Sequence, residues 1–194
     1  MVKTSAIVAA GVIALFGVSR AEVWKVDPAH SSVGFTVRHL VVTKVNGLFT
    51  DFDGEINYDG KDLSRGTVSF TVQAKSISTD NQKRDDHLRS ADFFAVDSFP
   101  TLTFKSTKIV PGQGDSFKMT GDLAIRGVTK EVTFDCTANG TIAAFGGTRA
   151  GFSATATINR QDFKVSWSKS LDGGGLVVSD EVKLNIEVEA AKAQ

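Results

Sequence analysis

Three histidines, one cysteine and a few short runs of mixed charge are where this 194-residue sequence could do chemistry. His39 stands on the strand face that also carries Val33, Phe35 and Val37, where an imidazole must find a hydrogen bond or lose hydration. It reads either as a satisfied core histidine or as a ligand-binding one. His87 lies within Arg84-Asp85-Asp86-His87-Leu88-Arg89. Charge at that density suits a solvated helix face, or a ring around a pocket mouth that holds a polar head group. His30, in Asp27-Pro28-Ala29-His30-Ser31, reads as a turn residue. Histidines this far apart, beside one cysteine, have neither HExxH nor CxxC spacing, so no metal site is expected. Cys136 sits in an apolar row, a setting that raises a thiol pKa, and is expected to be inert. Arg160 ends a strand and reads as a rim residue, or as the partner of Asp162 or another acid. Asp51, Asp53 and Glu55 share one strand face, read as solvated rather than as an acid/base group. GxSxG elbow, P-loop and dinucleotide fingerprint are all missing, and no cofactor is expected.

The elements that position these residues are strands. Apolar residues alternate at Val33, Phe35 and Val37, at Val68, Phe70, Val72 and Ala74, and at Phe117, Met119, Gly121, Leu123 and Ile125. The pattern returns at Val132 to Ala138, Phe152 to Ile158 and Val182 to Val188, with Leu102 and Phe104 beginning another strand. Phe49 to Tyr58 makes one more, with a kink expected at Gly54. That is about eight strands with one apolar face each, and antiparallel meanders of that kind favour closure into a barrel. Residues 81–90 lack β-branched side chains and follow Ser78-Thr79-Asp80, so a short helix capped there is expected. Ala91-Asp92-Phe93-Phe94 should tuck its aromatic rings against the sheet. Three consecutive glycines in Ser170 to Gly175 predict a mobile loop.

Composition narrows the classes. Lys+Arg and Asp+Glu each total 22, which argues against a nucleic-acid binder that relies on basic charge. Met1 to Ala21 has a charged start at Lys3, an apolar run from Ala6 to Val18 and a small-x-small Ser19-Arg20-Ala21, the grammar of an export signal cleaved after Ala21. The run is too short to span a bilayer as a helix. Residues 22–194 then form one domain, held by its core without a disulfide, which suits a bacterial periplasm. One Tyr and two Trp are too few for the aromatic girdles of an outer-membrane barrel. The 14 Phe suit a greasy lumen that binds an elongated ligand, or equally a dry core.

Longer motifs carry more. FTVRHL (35–40), GLFTDFDGEI (47–56), RDDHLRSADFF (84–94), FPTLTFKS (99–106), GDLAIRGVTKEVTF (121–134), TRAGFSATATINRQDF (148–163) and DEVKLNIEVEA (180–190) together resemble the YceI-like, polyisoprenoid-binding family. The resemblance runs from about Trp24 to Ala190. It implies an all-β, antiparallel, lipocalin-like barrel in the periplasm, often associated with dimers, with a long isoprenoid or acyl tail in its lumen. It favours a ligand over the dry core. Phe163-Lys164 departs from the family's small residue after that Phe.

The expected function is therefore a carrier or sequestering protein for an isoprenoid or other long-chain amphiphile. The candidate lumen residues are Phe35, Val37, Phe70 and Phe104, then Phe117, Met119, Phe134 and Phe152. His39, Arg84, Asp85, His87 and Arg160 are the candidates for the polar head or rim. Phe117→Asp is expected to weaken lipid retention while leaving a folded barrel. The competing expectation is an enzyme on a lipid-like substrate, with His39 or His87 as general base.

Overall fold

The computed structural model describes residues 22–59, 62–170 and 176–193, so the export-signal segment and Leu171 to Gly175 lie outside the described residues. Its strands are β1 (Glu22–Val26), β2 (Ser32–His39), β3 (Thr43–Phe49), β4 (Phe52–Tyr58), β5 (Thr67–Gln73), β6 (Ile77–Ser78), β7 (Thr101–Pro111), β8 (Ser116–Ile125), β9 (Val128–Ala144), β10 (Gly147–Asn159) and β11 (Val178–Lys192); the helix α1 is Gln82–Arg89. Eleven segments make eight long strands. β1 and β2 are one strand broken at Pro28–His30, where proline cannot donate to a ladder and Asp27 accepts from the Ala29 amide. β3 and β4 are one strand broken at Thr50 and Asp51, and β5 and β6 one strand broken at Ala74–Ser76. Neighbours along the chain pair antiparallel, β1 with β4 and β2 with β3. The last strand closes the ring. β11 pairs with β2 through Val178 to Glu187 and with β1 at Ala190 to Lys192, which makes a closed eight-stranded, lipocalin-like barrel.

The inward rows are those the alternation marks. Phe117, Met119, Leu123 and Ile125 of β8 are buried, as are Phe134 and Cys136 of β9 and Ala156 and Ile158 of β10. The kink is elsewhere than expected: the chain breaks at Thr50-Asp51, and Gly54 lies inside β4. Its glycine answers a close approach, since a Cβ would lie 2.7 Å from a Phe70 ring carbon and 2.8 Å from Val26 Cγ2. Gly121 is tighter. It faces Ser106 beside a bulge in β7, and an added Cβ would overlap the Lys105 carbonyl oxygen and lie 2.6 Å from Phe104 Cζ. Because backbone cannot swing aside, Gly121→Ala is expected to cost about 3 kcal/mol, read as a lower urea midpoint with unchanged slope.

The helix also shifts its cap. Asn81, not the residues before it, accepts the Arg84 amide at 3.0 Å. Thr79 is engaged elsewhere: its amide and hydroxyl both donate to Asp85 Oδ1, at 2.9 and 2.5 Å. Arg89 donates to the Lys75 and Ile77 carbonyls at 2.8 and 2.7 Å, which fastens α1 to β6 across one end of the barrel. Phe93 is buried behind the helix, and Phe94 meets Phe49 edge-on with centroids 5.8 Å apart.

Candidate ligand-binding lumen

The interior holds two abutting cavities. The lower, of about 150 Å³, is walled by β2, β3, β4, β5, β7, β8, β9, β10 and β11 and presents apolar atoms alone. The upper, of about 270 Å³, lies between the barrel end and the helix side. Phe35, Phe49, Leu102, Ile125 and Leu184 border both and form a waist. Residues of β4 and β5 line the lower chamber alone and residues of α1 the upper alone, whereas β2, β3 and β11 contribute to both.

All eight apolar candidates border this space. Phe70, Phe104, Phe117, Met119, Phe134 and Phe152 wall the lower chamber, Val37 the upper, and Phe35 both. Phe117 is 7 % exposed, so an aspartate there would carry an unpaired charge into the packed wall, and folding and ligand effects would not separate. Phe117→Asp is accordingly a poor test of the lumen.

The polar candidates divide. His39, Arg84, His87 and Arg160 border the upper chamber; Asp85 borders neither. Asp85 is 5 % exposed and spent on Thr79, so it braces α1 instead of facing a head group. Arg84 leans on the same threonine, its Nε donating to Thr79 Oγ1 and its Nη2 to the Thr79 carbonyl, each at 2.7 Å. His87 Nε2 lies 2.8 Å from Asp92 Oδ2, and its ring stands edge-on to Phe93 and Trp167 at 5.0 and 5.2 Å. Arg160 has no donor to spare. Nε donates to the Ser179 carbonyl, Nη1 to Val165 and Trp167, and Nη2 to Val178 and to Asp180 Oδ1. Burial pulls its pKa below the usual guanidinium range and Asp180 opposes the shift. Its ionic partner is Asp180 rather than Asp162.

In the aromatic upper wall, Phe93 belongs to the run expected against the sheet, whereas alternation left out Phe163, which ends a short 3-10 helix, and Trp167, which lies in irregular chain. Trp167, one of two tryptophans and flanked by serines, was the available signal. The fold also gathers Asp27, His30 and Glu189, with ligand-capable atoms within 4.8 Å of one another. That trio borders neither cavity and is internally engaged, His30 Nδ1 lying 3.0 Å from Asp27 Oδ2 and Arg149 Nε 3.5 Å from Glu189 Oε1.

Cys136 lines the lower chamber, and burial, with Asp135 adding to it, pushes its thiol up to about 12 from 9.0. The unfolded chain therefore sheds this proton near pH 9 while the folded chain keeps it, so the thiol withdraws stability as pH rises past 9. Cys136→Ala is expected to flatten the alkaline fall of the melting temperature; an unchanged slope would place that fall on other groups.

A closed eight-stranded barrel with a two-chamber lumen has close relatives. The YceI-like domain matches residues 24–190, nearly the whole described chain. The chain belongs to the YceI-like family. The YceI-like chain is 37% identical over 165 residues to UPF0312 protein SA2479 of Staphylococcus aureus (strain N315), covering 84% of this chain and 94% of that protein. Among solved structures, Burkholderia cenocepacia BcnA superposes with a TM-score of 0.74 at 26% identity, over 84% of this chain and 98% of its own. The Campylobacter jejuni YCEI protein gives 0.71 at 33% identity, over 81% and 90%. A polyisoprenoid binding domain from Saccharophagus degradans shares the fold, with a TM-score of 0.61 at 13% identity over 88% and 98%.

Proposed function

We propose that this YceI-like protein sequesters or carries an isoprenoid or other long-chain amphiphile, tail in the lower chamber and head toward His39, Arg84 and His87. The observation that carries this reading is the polarity gradient of the lumen: an all-apolar chamber opens through an apolar waist into one with imidazole and guanidinium groups. A space graded in that way matches a molecule graded in the same way. The fold shared with a domain named for polyisoprenoid binding supports it. So does the signal grammar of residues 1–21, which favours the periplasm as the place of action. No helix among the described residues is long and apolar enough to cross a membrane.

Size refines the ligand. A dry cavity of about 150 Å³ takes a benzene-sized group. On that scale the two chambers together take about three isoprene units. Each buried methylene contributes about 0.8 kcal/mol, so affinity should climb with tail length and vary less with head group.

Native mass spectrometry of protein purified without detergent, followed by organic extraction, tests the reading. A stoichiometric long-chain lipid is the expected result. Failure to retain either native lipid or added quinones and polyprenyl phosphates would overturn it. The His87 to Asp92 pair keeps a general-base enzyme as the second reading; it predicts that a bound lipid is returned altered, and that His87→Ala abolishes the change.

A further inference from the structure

The hairpin joining β2 to β3 puts its least soluble residues where water is most accessible. Leu40, Val41 and Val42 are 37, 63 and 77 % exposed. The turn is tight, with the Val42 amide donating to the His39 carbonyl at 3.2 Å, and both central residues are left-handed, Leu40 at φ 52° and Val41 at φ 64°. Asn-Gly adopts that conformation with little strain, whereas a β-branched valine is a true outlier there. Neither folding nor solubility is served by this choice. Immediately behind the tip, Arg38 and Lys44 face each other across the ladder, both exposed. Like charges in that register repel. Among the described residues no carboxylate pairs with either. The next inward-facing residues, Val37, His39 and Val45, line the upper chamber.

The geometry points to this hairpin as a bilayer-docking element: Leu40, Val41 and Val42 enter the interface of an anionic membrane while Arg38 and Lys44 meet its lipid phosphates. An apolar tip backed by a basic pair complements such a surface in both hydrophobicity and charge, as interfacial anchors do. Docking there brings the upper chamber to the membrane, where an amphiphile would enter tail first. The inference goes beyond the carrier reading and is tested separately from it, because vesicle binding does not require an occupied lumen.

The test is flotation of the protein with phosphatidylcholine vesicles, with and without phosphatidylglycerol, at low and high salt. Binding is expected to need the anionic lipid and to weaken with salt. Arg38→Ser and Lys44→Ser should each reduce it about fivefold. Leu40→Asn/Val41→Gly/Val42→Thr should reduce it at least about tenfold while the barrel melts no lower than wild type, since the strain is relieved. Phe145→Ser is the control, removing a 96 % exposed phenyl from the β9–β10 turn, which borders neither chamber, and should change nothing. No binding by the wild type, or equal binding by the triple variant, would overturn the inference. Equal loss on Phe145→Ser would too, as would a wild-type dimer that the triple variant dissociates without any vesicle binding, because the tip would then be covered by a second copy.

Discussion

Arg160→Met is expected to destabilise the barrel by about 3 kcal/mol, the most severe side-chain truncation the site offers. The methionine fills much of the arginine's volume but leaves the carbonyls of Val165, Trp167, Val178 and Ser179 without their donor. Each buried carbonyl stranded in this way costs about 1–3 kcal/mol, and water that reaches the mouth recovers part of it. Asp180 is 37 % exposed and can rehydrate, so Asp180→Asn should cost well under half as much. Arg160→Lys retains the charge but not the planar fork, and should lie nearer the methionine variant than the wild type. Urea titration of the three variants reads the order directly. If Asp180→Asn costs as much as Arg160→Met, the ion pair and not the carbonyl cage holds the rim. The consequence reaches the lumen, because Val165, Trp167 and Val178 line the upper chamber. A lysine variant that lost ligand without losing stability would return Arg160 to direct contact with the head group.

Ala154→Phe is expected to reduce lipid retention by at least about tenfold while leaving the melting temperature unchanged or higher. Ala154 lies in the lower-chamber wall between Cys136 on β9 and Ile186 on β11. A phenyl ring is the size of group that a cavity of about 150 Å³ admits, so the substitution occupies the tail's place with covalently attached apolar matter. Filling a void restores dispersion contacts where overpacking a full core would cost stability. The variant thereby separates binding from folding, which Phe117→Asp does not. Full retention by a folded Ala154→Phe protein would move the tail out of the lower chamber, and a large loss of stability would mean that the chamber was already filled.

Much of this architecture follows from local pattern. Alternation along Phe117 to Ile125 or Phe152 to Ile158 marks the inner face because a strand has period two and one side must leave water. Eight such rows in sequence lead to a meander, and a meander leads to closure. The lumen residues were legible for the same reason, an inward row being the same set of residues whether it meets a ligand or another side chain. The expected kink at Gly54 failed because glycine serves close approach as readily as bending, and the partner that needed space, Phe70, lies on the next strand. Asp85 looked like a pocket-mouth charge because a run of acids and bases is ordinarily solvated; its capture by Thr79 depends on how the chain enters α1. Of the upper aromatic wall, Phe93 was legible in the Ala91 to Phe94 run, whereas Phe163 and Trp167 were silent because a short 3-10 helix and irregular chain have no period to announce a face.

The sequence by itself determined the class of fold, the inward rows and, through its family motifs, the expectation of an amphiphile, because these rest on local periodicity and on runs of identical residues. Tertiary structure alone decided which ends meet, where the lumen narrows, which charges remain available to a ligand and which apolar residues stay outside. Those depend on pairings such as Trp24 with Lys192 and Arg160 with Asp180, made by residues distant along the chain. Whether a charge is spent or available is a property of its neighbours in space, which no spacing in a single chain encodes.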